Sequence, residues 1–120
     1  MTYDEQMMKM NKILREIFSK DSSLRFERID YLKKIFIKNF GDFEIISQEK
    51  KDFRYFDNEY ENFGDYASYS ELFVFKFKEY EFPVGLMTYF SRNRDSWSAN
   101  YSCEEVFFKV KPRQLFDIIE

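Results

Sequence analysis

The side chains best suited to chemistry in this chain are acidic, and they crowd into one stretch. Asp57, Glu59, Glu61 and Asp65 are interleaved with Tyr60, Phe63 and Tyr66. Oxygen atoms at alternate positions from Asp57 to Asn62 are what a calcium loop offers. Such a loop needs Gly at its sixth position and Glu at its twelfth, and Asn62 and Ser68 stand there, so the stretch is not read as a metal site. Paired carboxylates also cleave glycosides, but among 22 acidic residues no pair is singled out by spacing. There is no histidine, which excludes imidazole triads, relays and metal ligands. Cys103 is the single cysteine, so the usual zinc sites are excluded as well. Glu104 and Glu105 beside it favour the thiol over the reactive thiolate. Gly41, Gly64 and Gly85 are isolated, so neither a dinucleotide fingerprint nor a phosphate loop is present. The expectation is a chain without catalytic residues, metal or cofactor, and therefore not an enzyme.

What remains is recognition. Residues 1–41 carry a net charge of +3, residues 42–71 carry −6 and residues 72–120 are neutral. The acidic middle with its aromatic residues has two readings. It is a solvated loop whose rings tuck into the core, or it is a surface for a basic protein partner. In the second, carboxylates steer the approach and rings anchor the complex. The second reading places the partner-binding residues at Asp57, Glu59, Tyr60, Glu61, Asp65 and Tyr66. Direct nucleic-acid binding is not expected, because phosphate contact needs a basic stripe and the chain is net acidic.

Composition sets the frame for these residues. A chain of 120 residues, 44% hydrophobic and 34% charged, suits one domain spanning residues 1–120. No apolar run approaches the roughly 18 residues of a membrane-spanning helix. Residues 1–12 lack the apolar centre of a signal peptide. With its lone cysteine, the chain is expected to be soluble and cytoplasmic. Phe, Tyr, Lys, Asn, Ile and Met have AT-rich codons, and the chain holds 16 Phe and 9 Tyr against 3 Gly and 2 Pro. An AT-rich genome, that of a low-GC bacterium or one of its phages, accounts for the skew.

The elements that must position these residues centre on a hairpin from Ser70 to Ser91. Phe73, Phe75 and Phe77 alternate with Leu72, Val74, Lys76 and Lys78, and Val84, Leu86, Thr88 and Phe90 continue beyond Phe82-Pro83. The three phenylalanines are expected to face the core, and the side with Lys76 and Lys78 to be partly wet. Thr2 to Ser19 reads as an amphipathic helix opened by a Thr2/Glu5 capping box, with Met7, Met10, Leu14, Ile17 and Phe18 on one face. Core packing is preferred for its Met residues over an adaptable binding face. Asp21, Ser22 or Ser23 caps a second helix with a Phe26, Ile29, Leu32, Phe36 and Phe40 stripe, and Gly41 ends it. Phe43 to Ser47 reads as a short strand, and Phe53 to Phe56 as another. Trp97, Ala99 and Tyr101 mark a further strand and Val106 to Lys111 the last, with a helical turn over Leu115 to Ile119. The fold class is α+β: two N-terminal helices packed on a four- or five-stranded antiparallel sheet.

The run from Leu72 through Pro83-Val84-Gly85 to Phe90 resembles the second and third strands of the N-acetyltransferase superfamily, and Val106 to Pro112 resembles the strand after them. The resemblance implies an acetyltransferase-like domain. The Arg- and Gly-rich acetyl-CoA loop that the family carries next has no counterpart in residues 113–120, so what is implied is a remnant without its cofactor half. Three functional classes therefore stay open. The first, and preferred, is a non-enzymatic protein-binding domain, such as a phage or mobile-element inhibitor blocking the basic surface of a host nucleic-acid enzyme. The second is the acetyltransferase-like remnant. The third is a structural or self-associating domain, for which a homodimer is the simplest form.

Overall fold

A computed structural model of the chain describes residues 1–56, 66–92 and 99–111, with the side chains of 52–56, 66, 67 and 99 set aside. Two helices precede the sheet. Helix α1 spans Tyr3–Lys20, a 3-10 helix spans Ser22–Phe26, and α2 spans Ile29–Phe40. The strands are β1 (Phe43–Phe56), β2 (Tyr66–Phe77), β3 (Val84–Arg92), β4 (Ala99–Cys103) and β5 (Phe108–Lys109). All pairings are antiparallel, in the order β1-β2-β3-β4. Strand β5 continues along the β3 edge, opposite Val84 and Gly85, where β4 leaves off. This is the α+β class read from the sequence, with the sheet at five strands.

Helix α1 begins where the sequence says it should. The Thr2 hydroxyl accepts from the Glu5 N–H at 3.1 Å, and Glu5 Oε1 accepts from the Thr2 N–H at 3.3 Å. That reciprocal pair satisfies two otherwise unpartnered donors. Its buried stripe is Met7, Met10, Leu14 and Phe18, which places the Met residues in the core. Helix α2 buries Leu32, Phe36 and Phe40 and stops at Gly41, whose φ of 88° is open to glycine at little cost. Both stripes meet Phe73, Phe75, Phe77, Val84 and Leu86 of the sheet. Phe75 stands edge-on to Phe36, with ring centroids 5.7 Å apart, and to Phe43 at 5.1 Å. Phe107, from the link between β4 and β5, fills the remaining corner against Phe36, Phe40 and Phe77. On the opposite face Lys78 is exposed and Lys76 half-buried. The Lys76 ammonium donates to the Phe77 and Tyr80 carbonyls and so closes the β2–β3 turn.

Four expectations need correction. Asp21 caps the 3-10 helix, accepting from the Ser23 N–H at 3.1 Å, whereas α2 starts at Arg28 with no side-chain cap. Phe26 belongs to that 3-10 turn and is 58% exposed, so it is not part of the α2 stripe. The two short strands expected between Phe43 and Phe56 are one 14-residue strand, which the sequence disguises because its register shifts twice, at Ile45/Ser47 and Lys51/Arg54. Each bulge changes which positions face the core, so no single alternation runs through it. The strand expected over Val106 to Lys111 is reduced to Phe108–Lys109, because Phe107 turns into the core. Trp97 and the turn expected over Leu115 to Ile119 lie outside the described residues.

Polar side chains of α1 tie the two irregular links of the sheet to the helix. Gln6 Nε2 donates to the Phe82 carbonyl at 2.7 Å, and the Phe82 N–H donates to Gln6 Oε1 at 2.9 Å. Asn11 repeats the arrangement on Phe107, with bonds of 2.9 and 2.7 Å. Each amide thus acts as a single residue of an adjacent strand. The Tyr3 hydroxyl adds a third tie, donating to the Pro83 carbonyl and accepting from the Val110 N–H at 2.8 Å.

Cys103 ends β4 in the core. Burial pushes its thiol up to about 12 from an ordinary 9.0; Glu105 and Glu104 add to the rise and Arg25 opposes it. The neutral thiol is the form the fold accommodates. Its contribution to stability is complete below pH 9 and is lost as pH rises from there through about 12. At pH 8 a thiol-exchange reagent is expected to leave the native chain unlabelled and to label one thiol per chain in guanidinium. Rapid native labelling would contradict the burial.

Candidate functional site

The helices cover only one end of the sheet. On the core-facing side of β2 the positions run Phe77, Phe75, Phe73, Glu71 and Tyr69, and the core ends at Phe73. Beyond it, antiparallel register sets Tyr69 opposite Phe90 and Phe90 opposite Tyr101. Their rings form a ladder across three strands, with centroids 4.9 Å apart in the first pair and 5.1 Å in the second. The Lys50 ammonium lies 4.6 Å from the Tyr69 ring centre, and the Arg28 guanidinium 4.9 Å from that of Tyr101. Both ends of the ladder therefore already hold a cation on a ring face.

The bulge in β1 decides what lies beside the ladder. Before it, Phe43 and Ile45 face the helices; after it, Gln48 and Lys50 do, opposite Phe73 and Glu71. Ile46, inside the bulge, is turned out and 51% exposed. Gln48 Nε2 donates to Glu71 Oε2 at 2.9 Å. Glu71 is only 9% exposed, a carboxylate on the floor of a groove of about 170 Å³ between the sheet and the start of α2. Glu27, Arg28 and Asp30 form the helical wall, and Tyr69, Phe90, Tyr101, Thr88 and Ser102 form the sheet wall. Burial, with Glu71 and Tyr101 nearby, raises the Tyr69 phenol above its ordinary value, so it stays neutral and its ring remains a good cation acceptor.

None of the partner-binding residues expected from sequence has a described side chain. Asp57, Glu59, Tyr60, Glu61 and Asp65 lie outside the described residues. Tyr66 is placed by its backbone alone, as the first residue of β2 opposite Phe56. Residues 57–65 therefore join β1 to β2 at the end of the hairpin nearer the ladder, three residues from Tyr69 along β2. Sequence reading missed Tyr69, Glu71 and Gln48. The first two were within reach, since counting back by twos from Phe73 puts them on the core-facing side. Gln48 was not, because its orientation depends on the bulge.

Among the described residues no group of three or more acidic or cysteine side chains is arranged to hold a metal ion, and no helix is long and apolar enough to cross a membrane. The groove offers cation–π surface, hydroxyls and one buried carboxylate, which are means of holding a ligand. Compared with known proteins, the chain matches no protein-family model, no curated protein and no solved structure.

Proposed function

We propose that the chain is a non-enzymatic protein-binding domain whose partner presents a basic surface. The observation that carries this reading is the proximity of two features at one end of the sheet. Residues 57–65, with four carboxylates and no basic side chain, start and finish at the paired residues Phe56 and Tyr66. The aromatic ladder uncovered by the helices begins three residues further on. Carboxylates supply long-range attraction and rings supply short-range anchorage, a division of labour typical of electrostatically steered complexes. In this reading the partner is a nucleic-acid-binding enzyme whose phosphate-binding cleft the domain occupies. The action is inhibition, in the cytoplasm of a host invaded by a phage or mobile element. The acidic balance and AT-rich coding support that choice by analogy with other small acidic inhibitors.

The test begins with the partner captured from host extract on the immobilised chain and then purified. Steering acts over about 8 Å at 0.15 M salt and shows mainly in the association rate. Joint substitution of Asp57, Glu59 and Glu61 by Lys is expected to slow association at low salt and flatten its salt dependence. Stability should change by less than about 0.5 kcal/mol. Unchanged association kinetics in this variant would remove the acidic stretch from the mechanism.

A further inference from the structure

We propose that the groove beside the ladder takes the guanidinium of an arginine side chain presented by the protein partner, with Glu71 as its counter-ion. The inference rests on the protein-binding reading and names the chemical group this face selects. Glu71 is the starting point. Among the described residues its carboxylate accepts one hydrogen bond, from the neutral amide of Gln48, and no cation lies within ion-pair distance. Lys50, its cross-strand neighbour, has its ammonium over the Tyr69 ring instead. A carboxylate so buried gains most from a partner that brings both charge and donors.

The walls narrow the choice of ligand. Asp30 is paired with Lys33, and Arg28 and Lys50 lie over the end rings. Among the described residues Glu27 and Glu71 are therefore the lining charges without an ion pair, and they favour a cation over a phosphate or carboxylate ligand. A nucleobase would suit the rings but would carry its phosphates into those carboxylates. The planar guanidinium stacks on a ring face while its edge donates to a carboxylate in two parallel bonds; an ammonium does only the second, at one point. The ladder already holds a cation at each end, the Lys50 ammonium over Tyr69 and the Arg28 guanidinium over Tyr101, so cationic groups suit these ring faces. Phe90, the middle rung, carries no cation among the described residues and stands between the two that do.

The experiment is a nuclear magnetic resonance titration of the full chain with acetyl-Gly-Arg-Gly-amide. Its lysine counterpart and its citrulline counterpart, which keeps the shape and loses the charge, serve as comparisons. Saturable shifts are expected in the ring signals of Tyr69, Phe90 and Tyr101, with affinity falling several-fold for lysine and about tenfold or more for citrulline. Glu71→Gln, which keeps the Gln48 contact possible, should weaken the arginine peptide about tenfold while leaving the melting temperature in place. If that variant fails to fold, Phe90→Leu decides, since it keeps apolar bulk and removes the ring; it should bring arginine and lysine peptides to similar affinity. Equal binding of arginine and citrulline peptides, or undiminished binding in Glu71→Gln, would overturn the groove. The triple lysine variant separates this result from the steering reading. Normal tripeptide binding with unchanged partner association retires the steering alone, and slowed partner association with tripeptide binding indifferent to Glu71 retires the groove alone.

Discussion

Phe75→Ala should destabilise the domain by about 3–5 kcal/mol, the usual cost of emptying a fully buried phenylalanine site. Phe75 is completely buried, and its ring contacts those of Phe36, Phe43, Phe73 and Phe77. Those neighbours come from α2, β1 and β2, so the cavity has walls on three elements and collapses poorly. With total stabilities of about 5–15 kcal/mol typical of single domains, much of the margin is lost. Urea denaturation monitored by circular dichroism would read the effect as a lower midpoint at nearly constant slope. An unchanged midpoint would contradict the placement of Phe75 between helices and sheet.

Gln6→Leu should cost about 2–4 kcal/mol, although it exchanges a polar residue for an apolar one of similar size in a buried position. Gln6 is 1% exposed, and both ends of its amide are bonded to Phe82. Leucine leaves the Phe82 N–H and C=O without partners beneath α1, at about 1–3 kcal/mol for each group that water cannot reach. Gln6→Glu offers a sharper comparison, because it keeps the acceptor for the Phe82 N–H and turns the donor facing the carbonyl into a second acceptor. Differential scanning calorimetry of the three chains should rank wild type above both variants. Leucine equal to wild type would mean that the amide ties nothing of consequence.

Much of the fold was legible in the residues because its signals are local and periodic. The Thr2/Glu5 cap, the stripes of α1 and α2, Gly41 and the Phe73, Phe75, Phe77 alternation each depend on neighbours within four positions. The errors share a different cause. Strand β1 was divided because bulges interrupt its alternation, and a bulge is decided by the partner strand. Phe26 was counted into α2 because its spacing fits, while the chain turns through Asp21 and a 3-10 helix first. The aromatic ladder is a product of register: Tyr69, Phe90 and Tyr101 are far apart in sequence and meet only through two antiparallel pairings. Composition drew attention to the acidic stretch at 57–65, and only register shows that the strand after it carries a buried carboxylate and the first of three laddered rings.

The ties made by Gln6 and Asn11 have a consequence for how the chain comes off the ribosome. Their partners, Phe82 and Phe107, lie 76 and 96 residues downstream. At about 5–20 residues per second, the first helix is made seconds before the backbone groups that complete its docking. Through that interval Met7, Met10, Leu14 and Phe18 have no sheet to cover them, since β2 and β3 are synthesised later as well. A nascent helix with an uncovered apolar stripe is a natural chaperone client. If α1 seats after the folding transition state, substitutions at Gln6 and Asn11 accelerate unfolding more than they slow folding, which a chevron plot of each variant reads directly.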